Sequence, residues 1–125
     1  MNLGRLVLAL SFFCFSCKSS SGQEIIVVDH GDMLKQVIEK KGQLVDVRTT
    51  GEYEAGHIGD AVNFNIGDGG KFLEQIKSLN KEEPVYLYCK SGVRSKRAAE
   101  LLQKEGFKQI FDYSGGYDDW KKSKH

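Results

Sequence analysis

One proline and three cysteines in 125 residues set the first limits on this chain. So little proline excludes a collagen-like or proline-rich extended chain, and three cysteines cannot staple a disulfide-built miniprotein. A long basic run is also missing: Lys+Arg number 18 against Asp+Glu 17, a balance without the electrostatic footprint of a nucleic-acid binder. The histidines at 30, 57 and 125 share no ligand spacing with one another or with Cys89, so nothing points to a metal. No cofactor motif, nucleotide site or internal repeat is evident. What remains, 40% hydrophobic and 28% charged residues over this length, suits one compact globular domain.

Residues 1–16 do not read as part of that domain. Arg5 is their one charge, and the apolar stretch from Leu6 to Phe15 has the length of a secretory h-region, too short for a helix to cross a bilayer core of ~30 Å. Ser16 then precedes Cys17, and the polar run Lys18-Ser19-Ser20 follows. This arrangement resembles the lipobox of bacterial lipoproteins. The resemblance implies a signal peptide over 1–16, a tether over 17–23 lipidated at Cys17, and a folded domain over 24–124. The expected location is the bacterial cell envelope, lipid-anchored to a membrane and facing the periplasm or cell surface; a soluble periplasmic protein is the alternative. Cys14 would leave with the signal, and Cys89 would be the one unmodified thiol. In a compartment that favours paired cysteines, such a thiol is either buried and inert or kept for its chemistry.

From residue 24 onward, short apolar runs alternate with segments of helical period. Ile25–Val28, Leu44–Val47, Ala61–Ile66, Val85–Tyr88 and Ile110–Tyr113 are rich in β-branched and aromatic residues and read as five strands. Between them, Met33, Leu34, Val37 and Ile38 recur at helical spacing, as do Phe72, Leu73 and Ile76, and then Ala98, Ala99, Leu101 and Leu102. Each stripe needs a sheet to cover, so the pattern predicts an α/β fold: a five-stranded, mostly parallel sheet with helices on both faces.

In an open parallel sheet, reactive groups gather beyond the carboxyl ends of the strands. The strand Val85–Tyr88 runs into Cys89-Lys90-Ser91-Gly92-Val93-Arg94-Ser95, and a helix is expected over Lys96–Lys104. Such a turn aims backbone N–H groups at one point and forms an anion site that stabilises a thiolate. Lys90, Arg94, Lys96 and Arg97 add four cations without an acid among them. By themselves these charges would describe a solvated helix start; with a Cys at the strand end and a Gly in the turn, they describe an activated nucleophile.

The loop Cys89-Lys-Ser-Gly-Val-Arg-Ser95 resembles the active-site loop of rhodanese-type sulfurtransferases. Leu44-Val-Asp-Val-Arg-Thr-Thr-Gly-Glu-Tyr-Glu-Ala-Gly-His-Ile58 resembles the first signature of that family, and Gly115-Gly-Tyr-Asp-Asp-Trp120 the C-terminal one. The resemblance implies a rhodanese-like fold and sulfur transfer through a persulfide on Cys89. The implied reactants are a small anionic sulfur donor such as thiosulfate and a thiol or cyanide acceptor, with no cofactor. It also implies that the loop residues Lys90, Ser91, Gly92, Val93, Arg94 and Ser95 bind substrate, with Lys90 and Arg97 attracting the donor. Arg94, at the end of the loop, is expected to clamp Asp46 or Glu52. Asp46, Arg48, Glu52 and His57 read as structural support of the site, and Tyr117 and Trp120 as core anchors.

Three alternatives stay open in the sequence. Phosphatases and arsenate reductases of related fold place their Cys and Arg one residue further apart than Cys89 and Arg94, which ranks that chemistry behind sulfur transfer. A non-catalytic binding module is disfavoured because Cys89 is present. Redox sensing lacks a resolving cysteine.

Overall fold

The computed structural model describes residues 23–123. The signal peptide over 1–16, Cys17 and most of the tether expected over 17–23 lie outside the described residues. No helix among those described is long and apolar enough to cross a membrane.

Five strands, β1 (Ile25–Val28), β2 (Gln43–Asp46), β3 (Val62–Asn63), β4 (Val85–Tyr88) and β5 (Ile110–Tyr113), form one sheet in the order β1-β5-β4-β2-β3. Every neighbouring pair is parallel, so the sheet expected to be mostly parallel is wholly so. Burial on both faces explains the near-continuous apolar character of the central strands. β4 is buried along its length.

Strand alternation sends successive side chains to opposite faces. Val45, Val85, Leu87, Cys89 and Ile110 face a layer made by Phe72, Ile76, Ala98, Ala99 and Leu102, from α3 (Gly69–Gln75), the 3-10 turn that continues it (Ile76–Ser78), and α4 (Val93–Lys104). Leu44, Tyr86, Tyr88 and Tyr113 face Met33, Val37, Ile58 and Trp120. These come from α1 (His30–Asp32) with the π-helix that extends it (Met33–Glu39), the loop after α2 (Thr50–Ala55), and α5 (Gly116–Lys122).

Two expected boundaries are corrected. The strand anticipated over Ala61–Ile66 is paired at Val62 and Asn63 only. Beyond them the amides of Phe64 and Ile66 reach back to the carbonyls of Asp46 and Val47, carrying the chain across the end of β2. The helix anticipated at Lys96 begins at Val93 instead, because Gly92 takes a left-handed φ of 101° and ends the turn. The Cys89 turn is correspondingly tight, and Arg94 and Ser95 stand in the first turn of α4.

The order of strands fixes where a site can form. The chain moves from β2 outward to β3, then returns to β4 and proceeds the other way to β5, so connections diverge between β2 and β4. A crevice opens at the carboxyl ends of strands that diverge in this way. Asp46 and Tyr88 are register partners at that point, and Cys89 is the next residue.

Candidate active site

Cys89 follows the last residue of β4 and is 1% exposed. A thiol placed there would be inert if only apolar atoms surrounded it. The turn supplies other neighbours: the Gly92 amide donates to Cys89 Sγ at 3.0 Å, and Ser95 Oγ lies 3.5 Å from the sulfur. Burial pushes the thiol pKa up. The Ser95 hydroxyl, together with the backbone amides of Ser95, Gly92 and Ser91, outweighs it and brings the pKa below its ordinary value.

The amides point inward because the carbonyls on the same peptide units are held outward. The amides of Tyr117 and Asp118, in the first turn of α5, donate to the carbonyls of Cys89 and Lys90 at 2.8 and 3.1 Å. In a trans peptide, C=O and N–H point in opposite directions, so fixing these carbonyls toward α5 turns the amides of Lys90 and Ser91 into the turn. The approach demands glycine on both sides. Gly116 has φ 65°, and a Cβ there would lie 2.5 Å from the Lys90 carbonyl oxygen; Gly92 has φ 101°, and its Cβ would lie 2.6 Å from the carbonyl oxygen of Ser114.

Arg94 closes the turn from α4. Of the two carboxylates expected for it, the guanidinium takes Glu52, in a two-pronged pair at 2.6 and 2.9 Å. Glu52 also closes a capping box with Thr49 at the start of α2. Arg94 first, and Thr49 after it, hold the Glu52 carboxyl at about 2, against the counter-effect of its own partial burial. Asp46 has a different partner. Its oxygens accept from Arg48 Nε at 3.0 and 3.1 Å and from Arg48 Nη2 at 2.6 Å. Arg48 also donates to the Gly56 carbonyl at 2.7 Å and lies 4.3 Å from the centroid of the Tyr117 ring. Asp46 and Arg48 therefore tie the end of β2 to the end of α2 and to α5, and both are buried.

The remaining residues of the expected set occupy the rim or its supports. Lys90 and Ser91 are exposed, and Val93 is 79% exposed. The Lys90 ammonium is 3.9 Å from Asp118, a loose pairing that leaves it free to meet an anion. Arg97, expected to attract a donor, instead donates to the Ile66 carbonyl at 3.1 Å. His57 stacks on Tyr53 with ring centroids 3.9 Å apart, and its Nδ1 lies 3.0 Å from the Tyr53 carbonyl oxygen. These contacts give it a place in the α2 turn. Trp120 is buried and Tyr117 half-buried against Arg48.

Sequence reasoning missed three participants. Tyr88 donates to Asp46 Oδ2 at 2.8 Å and accepts from the Ile58 amide at 2.9 Å, linking β4 to the Asp46–Arg48 pair from the face opposite Cys89. Asn63 donates to the carbonyls of Asp46 and Arg48 at 3.1 and 2.9 Å. Asp112, on β5, is 4% exposed, and its Oδ1 is buried without a hydrogen-bond partner. A charge inside the apolar run Ile110–Tyr113 was the available signal for the last of these.

A strand-to-helix turn whose amides converge on one sulfur can hold negative charge on that sulfur and on an atom bonded to it. Known proteins share the chain that builds this turn. The Rhodanese-like domain family matches residues 29–123. The uncharacterized protein YqhL of Bacillus subtilis is 43% identical over 82 residues, 65% of this chain and 62% of that one, so the chain spans less than two thirds of YqhL. The thiosulfate sulfurtransferase GlpE of Coxiella burnetii is 31% identical over 94 residues, covering 75% of this chain and 85% of GlpE. Among solved structures, the human single-domain sulfurtransferase TSTD1 superposes with a TM-score of 0.68 over 82% of this chain and 100% of its own, at 20% identity, a likeness of fold. With its turn, its sheet order and nearly all of its folded length matched in this way, the chain belongs to the rhodanese-like domain family.

Proposed function

We propose that the protein is a sulfurtransferase that carries sulfane sulfur on Cys89. The observation that carries this reading is the buried Cys89 sulfur facing the Gly92 amide at 3.0 Å in a ring of inward-turned N–H groups. The thiolate attacks the outer sulfur of a donor such as thiosulfate; a new S–S bond forms, the donor S–S bond breaks, and sulfite leaves with the electron pair. The amides that held the thiolate then hold the terminal sulfur of the persulfide. Cyanide or a thiolate acceptor attacks that sulfur, and Cys89 leaves as the thiolate, which completes a two-step exchange. No general base is invoked, because the turn lowers the pKa of the nucleophile. The GlpE relatives, named for thiosulfate sulfurtransfer, support the choice of donor. The tight turn supports sulfur over phosphate. We also place the domain at the bacterial envelope, on a lipid at Cys17; the support is the Ser16-Cys17-Lys18 sequence.

The test is the mass of the Cys89 peptide after the protein meets thiosulfate. A gain of one sulfur atom that cyanide discharges, and that Cys89→Ser lacks while remaining folded, is expected. A folded wild-type protein that takes up no sulfur from thiosulfate and releases no thiocyanate with cyanide overturns the thiosulfate reading.

A further inference from the structure

In the sequence, the Cys89 turn and the helix start after it carry Lys90, Arg94, Lys96 and Arg97 with no acid among them. The fold brings an acid to them from another element. The Asp118 amide, in the first turn of α5, donates to the Lys90 carbonyl at 3.1 Å, so the main-chain bonds that shape the turn also fix Asp118 beside Lys90. Its carboxylate is shared: Oδ2 lies 3.9 Å from the Lys90 ammonium and Oδ1 3.9 Å from that of Lys121.

The other carboxylates nearby are committed to fixed donors. Glu52 takes both prongs of Arg94, Asp46 is filled by Arg48, and Asp119 accepts from the Tyr113 hydroxyl. Asp118 differs in holding two mobile ammonium groups, 60% and 55% exposed, at distances long for an ion pair. Pairs this open add little to stability. Their charge still acts on what happens beside them, because screening in ~0.1 M salt leaves fields effective over ~10 Å. Lys90 directly follows Cys89, and consecutive Cα atoms are ~3.8 Å apart, which brings Asp118 within about that range of the sulfur. An anion drawn to Lys90 must displace or share this carboxylate, whereas a neutral reactant need not.

We propose that Asp118 is a specificity-determining residue for Cys89: by offsetting Lys90 and Lys121 it sets how strongly the sulfur favours anionic over neutral reactants, and it holds back small, multiply charged donors relative to persulfides on uncharged carriers. As a statement about sulfur donors this rests on the sulfurtransferase reading. As a statement about the charge a reactant meets at Cys89 it is testable without it.

The test compares two alkylating reagents that undergo the same displacement by the thiolate, iodoacetate with one negative charge and iodoacetamide with none. The ratio of their rates reads the charge around the sulfur, and any change in thiol ionisation cancels. The full-length protein is treated with each at neutral pH, and modification is followed on the tryptic peptide ending at Lys90, which holds Cys89 and neither Cys14 nor Cys17; in Lys90→Ala the peptide runs on to Arg94. Asp118→Asn should raise the ratio of iodoacetate to iodoacetamide about two- to fivefold in dilute buffer, and the gain should largely vanish in about 1 M salt, where the screening length is ~3 Å. Lys90→Ala should lower the ratio by a similar factor. Glu39→Gln, which removes the same charge from an exposed position before β2, at the opposite end of the sheet, should leave it unchanged. A ratio in Asp118→Asn within about 1.3-fold of wild type, an equal rise in Glu39→Gln, or no fall in Lys90→Ala would each overturn the proposal. In sulfur transfer, Asp118→Asn should lower the KM for thiosulfate and leave kcat nearly unchanged. A wild-type protein that moves no sulfur while the alkylation ratio shifts as expected would sink the sulfurtransferase reading and leave the role of Asp118 at Cys89 standing.

Discussion

Replacing Glu52 with glutamine isolates the clamp that Arg94 makes across the turn. Glutamine keeps the capping box with Thr49, because that motif accepts Glu or Gln, so the change removes the ion pair and spares the start of α2. The carboxyl sits at about 2 in the folded protein against an ordinary 4.5. At ~1.36 kcal/mol per pH unit this depression sets a ceiling of ~3.4 kcal/mol. Both side chains keep about a third of their exposure, 33% for Arg94 and 30% for Glu52. Screening by solvent brings the expected loss to about 1–2 kcal/mol. The sign with pH follows from the direction of the shift. A depressed carboxyl contributes fully above its unfolded value near 4.5, and the contribution fades as pH falls toward 2. Urea unfolding of wild type and Glu52→Gln should therefore differ by that amount at pH 7 and converge in strongly acidic buffer. On an Arg94→Ala background, Glu52→Gln should cost little further. A loss at pH 7 below about 0.3 kcal/mol, within the scatter of surface pairs, or one equally large in acid, would refute the claim that the pair fastens the turn.

Two other substitutions test the scaffold from different sides. Gly116→Ala should lower stability by about 2 kcal/mol or more, through a left-handed φ and a clash with the Lys90 carbonyl. It should also slow Cys89 alkylation by iodoacetamide near neutral pH, followed on the tryptic peptide that ends at Lys90 and holds neither Cys14 nor Cys17; unchanged reactivity would mean that α5 does not orient the turn. Tyr88→Phe strands the Ile58 amide and removes one donor from Asp46, so a loss of about 1–3 kcal/mol in urea unfolding is expected. Because Tyr88 lies on the opposite face of β4, the pH dependence of Cys89 alkylation should hardly move.

The alternation of apolar strands with helical stripes was enough to place five strands and the three longer helical segments, because each buries a continuous face. α2 carried no such stripe: it is six residues long with none buried, and is held by its Thr49–Glu52 box and the Arg94 pair. β3 was overestimated for a related reason. Ala61 and Ile66 are buried, as residues of a strand would be, yet they are buried by a chain folding over the end of β2. At the site, Cys89 could be chosen from sequence because the strand-to-helix turn is a local feature. The partner of Arg94 could not be, since Asp46 at the end of β2 and Glu52 in α2 lie close together in the chain at the same end of the sheet. Arg48 decides it by occupying both oxygens of Asp46. Tyr88, Asn63 and Asp112 escaped because their roles depend on which residues meet across the sheet, and strand order is not written in local periodicity.

The donors that reach the Cys89 sulfur are backbone amides and one buried hydroxyl, and that choice separates chemistry from recognition. Amides have no rotamers: once α5 fixes the carbonyls of Cys89 and Lys90, and Gly92 fixes the end of the turn, the ring keeps its shape whether the sulfur carries a charge, a second sulfur or a proton. The side chains that branch from the same residues, Lys90, Ser91 and Val93, are exposed and take no part in holding the ring. They can therefore change without disturbing the thiolate. In the proposed reaction, a reactant approaching Cys89 would meet side chains of this kind: Lys90, loosely paired with Asp118, and the exposed Val93. A small anion needs only the cation and the amides; an acceptor with an apolar surface beside its thiol would gain from Val93 as well. On the proposed sulfurtransferase reading, exchanging Val93 should accordingly alter which acceptor discharges the persulfide, while leaving its formation from a small anionic donor nearly unchanged, a difference that separate measurement of the two half-reactions resolves.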